Sequence, residues 1–243
     1  MAIATLDFGA ESLGMRTRIT AVLPEHPNHP VVLLLLHGLG DDETVWLTQT
    51  RLVSYAEQKQ VVILMPRVDR SYYANSDSGV RYFDFVSDEL LTRCADWLCF
   101  SCQPSATFVA GVSMGGYGAL KVALNAPTRF AGAFVLSGVT DLVKQWQEHP
   151  ERDSWYSGLF GSMNDLRGSS SDLPGLVRAW GSAPRPFIRQ ICGRADPYYQ
   201  MNLSFQQLAS SHGFDCSLET VAGAHEWWVW DQAIQSVLTE VTA

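Results

Sequence analysis

The sequence predicts an α/β class with a mostly parallel sheet covered on both faces, and three observations carry that prediction. Apolar runs alternate with helix-periodic stretches through the middle of the chain. Val31 to Leu36, Val61 to Met65 and Ala131 to Leu136 are apolar without polar alternation, as strands buried on both faces require. These runs give way to glycine-rich, polar or aromatic loops, and in an open α/β sheet such loops converge on one crevice at the strand ends. At 243 residues and 47% hydrophobic content the chain can bury a sizeable core as one domain, residues 1–243.

Taken in order, Thr5 to Phe8 and Arg16 to Leu23 read as two strands with Gly14 at the turn. Pro24 to Pro30 reads as a loop whose His26 and His29 are solvated. After the Val31 strand, a helix is expected over about Thr50 to Lys59, then the Val61 strand. The loop that follows, Pro66 to Tyr73, is polar and aromatic, and Tyr72 and Tyr73 are candidates to line a pocket. Asp84 to Trp97 has helical periodicity, its stripe including Phe85, Leu90, Leu91 and Trp97. A strand from Thr107 and a helix closing near Asn125 come next, followed by the Ala131 strand. Between Leu142 and Pro186 periodicity loosens, and a small cap insertion at about 142–185 is expected there. Its Trp155, Tyr156, Leu159 and Phe160 allow either a homo-oligomer contact or the cap's own packing. Strand, helix, strand and helix then follow at Pro186 to Cys192, Leu203 to Ser211, Cys216 to Val221 and Trp228 to Val241.

Composition narrows the partners. A formal net charge of -8 disfavours nucleic acid and anionic membranes. No apolar run approaches membrane-spanning length, and the first residues lack the basic start and apolar core of a signal peptide, so a cytoplasmic protein is expected. Five cysteines form no disulfide framework; Cys99 and Cys102 are spaced as half of a metal or redox site, but no second pair completes one. No metal and no cofactor are implied, since neither a His-x-x-x-His cluster nor a phosphate or dinucleotide loop is present.

The chemistry is concentrated in Gly111-Val112-Ser113-Met114-Gly115-Gly116, lying between a β-branched run and a helical pattern. Gly-x-Ser-x-Gly in that context is a nucleophile elbow: the serine sits at the apex of a strained turn, and small neighbours let strand and helix approach each other. Ser113 is the candidate nucleophile, and the Met114 amide at the helix start is placed to donate to an oxyanion. His37-Gly38-Leu39-Gly40 after the Val31 strand offers a second amide, that of Leu39, with His37 as an orienter of the loop. Asp196 follows a late strand in Gly193-Arg194-Ala195-Asp196, and His225 follows the last one. Ser113, Asp196 and His225 thus occur in the chain order used by serine hydrolases with such an elbow. Asp141, also after a strand, is the alternative acid, while His149 lies in the cap and His212 at a helix end.

Gly-Val-Ser-Met-Gly-Gly-Tyr-Gly-Ala, His-Gly-Leu-Gly-Asp-Asp-Glu, Pro-Arg-Val-Asp-Arg-Ser-Tyr-Tyr and Gly-Ala-His-Glu-Trp resemble the esterase family that contains tributyrin esterases and S-formylglutathione hydrolases, the tributyrin esterase branch above all. The resemblance runs over nearly the whole chain. It implies an α/β-hydrolase fold and a serine carboxylesterase acting on short acyl esters, with Ser113, Asp196 and His225 as its triad. Hydrolysis of S-formylglutathione and acyl transfer to an alcohol or sugar are the alternatives on the same residues. The Ser-rich cap matches no particular branch, so the substrate is left open; Tyr72 and Trp228 are the candidates for narrowing the acyl pocket.

Overall fold

The structure, a computed structural model, describes residues 1–25, 30–57 and 59–243; His26 and His29 lie outside them. Strands β1 (Ala2–Ala10) and β2 (Met15–Leu23) form an antiparallel hairpin. Gly14 closes it at φ +63°, a left-handed conformation that costs glycine little. The remaining strands are β3 (Val31–Leu36), β4 (Val61–Pro66), β5 (Thr107–Val112), β6 (Gly132–Leu136), β7 (Phe187–Gly193) and β8 (Cys216–Val221). They complete one eight-stranded sheet in the order β1-β2-β4-β3-β5-β6-β7-β8. β2 joins β4 antiparallel, and every later pairing is parallel.

Alternation within the apolar runs sorts side chains to two cores. Val32, Leu34 and Leu36 of β3 face one side, while Leu33 and Leu35 face the other. The second side is covered by α1 (Val45–Gln49), α2 (Leu52–Ala56) and the last helix, α10 (Trp227–Val241). The first is covered by α3 (82–98), α4 (Met114–Asn125) and α9 (Tyr199–Ser211), with α5 (Leu142–Glu148), α6 (Asp153–Phe160), α7 (Met163–Leu166) and α8 (Leu173–Arg178) between β6 and β7. No helix among the described residues is long and apolar enough to cross a membrane.

Two helices depart from the sequence expectation. The helix expected over Thr50 to Lys59 is shorter, only α2 at Leu52–Ala56, and it is separated from the preceding α1 by Thr50, which is extended. Asp231 of α10 takes the Arg51 amide at 2.7 Å, its guanidinium, and the Tyr55 hydroxyl at 2.8 Å, so a tertiary ion pair replaces helical hydrogen bonds. In α3, Phe85–Glu89 is a π-helical turn, which 3.6-residue periodicity cannot announce.

The loosely patterned connection between β6 and β7 holds its short helices by caps and rings. Asp141, Ser162 and Asp172 each cap a helix through a side-chain oxygen. Trp155, Tyr156 and Phe160 of α6 pack their rings on Tyr72, whose centroid lies 5.4 to 6.4 Å from theirs. Tyr156 is fully buried.

Candidate active site

Ser113 sits at the junction of β5 and α4 with φ 56° and ψ -114°, a conformation L-residues rarely adopt. Its amide is held by the Leu136 carbonyl at 2.9 Å, and its own carbonyl accepts from Tyr117 and Val139. Close backbone contacts explain the flanking glycines. A Cβ on Gly111 would meet the Gly115 carbonyl, and one on Gly116 would come within 2.8 Å of Gly138 Cα. A Cβ on Gly115 would run into the Leu36 and His37 carbonyls, so the end of β3 lies directly against the first turn of α4.

That β3 end is tied from several directions. The Trp46 indole donates to Leu36 O at 3.2 Å and the Tyr73 hydroxyl to His37 O at 2.9 Å. The buried His37 ring accepts the Val68 amide on Nε2 at 3.1 Å and donates from Nδ1 to Gly38 O at 2.7 Å, which fixes its neutral tautomer. Burial pushes the His37 pKa down, against the Gly38 carbonyl and the nearby acids Asp41, Asp42 and Asp69. Leu39, half-buried, follows this braced segment, and Gly40 after it takes φ +89°. Met114, fully buried, is the first residue of α4.

Asp196 and His225 reach the same place from the ends of β7 and β8. The Ser113 hydroxyl stands 3.1 Å from His225 Nε2, and His225 Nδ1 stands 2.9 Å from Asp196 Oδ2. The other Asp196 oxygen accepts the Tyr198 amide at 2.8 Å. Burial alone would raise the Asp196 pKa, but His225, the Tyr198 amide and the Ser137 hydroxyl together hold it below the usual carboxylate range. An ionised carboxylate accepting from Nδ1–H leaves Nε2 bare toward Ser113, the protonation pattern needed to draw a proton from a hydroxyl.

The other residues singled out in the sequence fall elsewhere. Asp141 is the N-cap of α5 and accepts from the Lys144 amide at 2.9 Å. His149 pairs with Glu151, and His212 bonds the Leu208 carbonyl. Tyr72 is 1% exposed, its hydroxyl 3.5 Å from that of Tyr156, in the ring cluster between the loop after β4 and α6. Trp228 is 47% exposed and lies over Gly223.

Two aromatic neighbours of the imidazole escaped the sequence reading. Tyr198 and Trp230 lie edge-to-face with His225 at centroid distances of 5.1 and 4.8 Å. The periodicity of α10 carried a signal for one of them: Val229, Trp230, Ala233, Ile234 and Val237 form the buried face, which turns Trp228 outward and Trp230 inward.

The Esterase family model matches residues 10–240. The chain belongs to the esterase family. An acetyl esterase of Caldicellulosiruptor saccharolyticus is 29% identical to this esterase over 256 residues, spanning 96% of each chain. Two solved structures from Staphylococcus aureus, the fluorophosphonate-binding serine hydrolase F and an S-formylglutathione hydrolase, each superpose with a TM-score of 0.90 at 30% identity. They cover all of this chain, which in turn covers 98% and 99% of theirs. The esterase is therefore a serine carboxylesterase with the α/β-hydrolase fold, as its family, its relatives and its sheet order agree.

Proposed function

We propose that this esterase cleaves short-chain acyl esters through an acyl-enzyme on Ser113. The reading rests on one observation above all, the unbroken hydrogen-bond path from Asp196 through His225 to the Ser113 hydroxyl. In the first half-reaction Ser113 Oγ attacks the ester carbonyl while His225 Nε2 takes its proton, and Asp196 stabilises the resulting imidazolium. Collapse of the tetrahedral intermediate expels the alcohol, which takes that proton from Nε2. Water, deprotonated in turn by His225, then releases the acid and restores Ser113.

The amides of Leu39 and Met114 are assigned to the oxyanion. Each such donor contributes about 3 kcal/mol to the transition state. The bracing of His37 and the glycine contact between β3 and α4 support this assignment, because an oxyanion donor works only if it is held in place beforehand. The helices between β6 and β7 are assigned the part of a cap over the crevice, and Tyr72 and Trp228 that of substrate-binding residues.

The preference for short acyl groups draws on the acetyl esterase relative. A second reading, hydrolysis of the thioester S-formylglutathione, draws on the structural match to the S-formylglutathione hydrolase. A p-nitrophenyl ester series from acetate to octanoate, run beside S-formylglutathione and with Ser113→Ala as control, separates them. A maximum at short oxygen esters, lost in the variant, is the expected result; a strong preference for the thioester would replace the first reading with the second.

A further inference from the structure

Hydrogen bonds at Nδ1 and Nε2 fix the line through the two nitrogens of His225, yet they leave the ring able to rock about that line. Packing must resist the rocking, because the Nε2 lone pair has to keep aim at Ser113 Oγ. The imidazole side chain is 27% exposed, so enclosure alone does not hold it. Two rings set perpendicular to it do, Tyr198 and Trp230, each crossing the imidazole plane at 83°.

Both rings are themselves pinned at their polar tips. Trp230 Nε1 donates to Ser137 Oγ at 3.0 Å. Ser137 is fully buried at φ 51°, and its hydroxyl also serves the Asp196 carboxyl. The Tyr198 hydroxyl accepts from Gln145 Nε2 at 3.1 Å, and Gln145 is 1% exposed within α5. One ring is thus anchored to the end of β6 and the other to the helical segment between β6 and β7. The backbone of Tyr198 meanwhile holds the Asp196 carboxylate.

We propose that Tyr198 and Trp230 are positioning residues that hold the imidazole plane of His225, and that Gln145 couples this clamp to the docking of α5. The proposal rests on the reading of Ser113, His225 and Asp196 as the catalytic set. It makes the helical connection more than a cover for the crevice: displacing α5 releases Tyr198 and with it the aim of the base.

The test uses the full chain with p-nitrophenyl acetate and the variants Tyr198→Phe, Gln145→Met, Tyr198→Leu and Trp230→Phe, beside Ser113→Ala and His225→Gln. Tyr198→Phe and Gln145→Met each lower kcat by about threefold to tenfold at unchanged KM, and Tyr198→Leu by about a hundredfold, the scale expected for small misplacement of a reacting group. The double variant of Tyr198→Phe and Gln145→Met is no worse than either single one, since both cut the same bond. The low-field proton resonance of the His225–Asp196 hydrogen bond broadens in Tyr198→Leu while the melting temperature is retained. Wild-type kcat and an unaltered resonance in Tyr198→Leu and Trp230→Phe would overturn the clamp. So would a rise in KM at constant kcat, which would make Tyr198 a substrate contact. If Trp230→Phe does not fold, the half-exposed Tyr198 decides alone. Full activity in His225→Gln would instead sink the catalytic assignment, so the two failures are told apart.

Discussion

The β5–α4 elbow and the helical connection between β6 and β7 keep their shapes by opposite means. In the elbow, main chain touches main chain: Gly111 against Gly115, Gly115 against Leu36 and His37, Gly116 against Gly138. In the connection, short helices are held by side-chain caps and by the rings of Trp155, Tyr156 and Phe160 on Tyr72, with Trp146 against Tyr156. Contacts of the first kind tolerate no added atom, whereas those of the second kind can repack. The proposed nucleophile therefore sits in the rigid region, and the proposed cap in the adaptable one.

The comparison can be broken at its strongest point first. Ser113→Ala removes the group that the whole elbow presents, and kcat on p-nitrophenyl acetate is expected to fall by about 10⁴-fold or more with the fold intact. Residual activity within tenfold of wild type would mean that the elbow serves another purpose.

Next in size comes Gly115→Ala. The added methyl collides with two carbonyls that belong to the backbone and cannot swing aside, so destabilisation of about 2 to 3 kcal/mol in urea unfolding is expected, together with a loss of kcat as the His37–Leu39 loop is pushed from Ser113. An equal-sized intrusion at Gly158 in α6, where a Cβ would meet nothing within 4 Å, should cost almost nothing.

Lys121 joins the two regions and yields a pH-dependent prediction. Its ammonium, buried within α4, donates to Ser171 Oγ at 2.8 Å and lies over the rings of Phe83, Tyr117 and Phe160. Burial pushes its pKa from 10.5 down to about 7, against the pull of Asp84. Between those values the unfolded chain carries a proton that the folded chain lacks, so stability falls as pH drops through that window and the loss is constant below it. Lys121→Met removes the slope: in urea midpoints its advantage over wild type grows as pH is lowered toward 7 and then levels off. A constant difference across the range would show that Lys121 is charged at no such cost.

A small effect belongs to Tyr72→Phe, which deletes one long hydroxyl contact to Tyr156 in the adaptable region and costs no more than about 1 kcal/mol. The same variant tests its assignment to substrate binding. A raised KM across the ester series supports a contact, and an unchanged KM confines Tyr72 to bracing α6.

The same division decides what could be read from the sequence. β3 through β6 were legible because each is a largely apolar run bounded by loop residues, and β8 because its polar and apolar residues alternate; their succession with helices selects a parallel sheet. The glycines of the elbow were legible too, since only a close backbone approach asks for so many small residues together. The start of α2 was not, because Arg51 there is held by an acid 180 residues away. Nor were Tyr198 and Trp230, whose value lies in ring geometry across three elements, a property without any local spacing. Tyr72 was noticed as an aromatic at a strand end, but its full burial under α6 depends on a segment whose own pattern is weak.

One distance in sequence carries a consequence for how the molecule comes into being. Ser113 and His225 are 112 residues apart, and the proposed base is set in place by the turn after β8 and by α10, whose Asp231 latches onto Arg51. Those contacts join segments far apart in the chain, and such non-local pairings are expected to form after the closing of the central strands. Ester turnover is therefore expected to report a late stage of folding. In refolding from denaturant, activity should return after the bulk of the helical signal, and a chain arrested before α10 docks would present a shaped elbow with no working base.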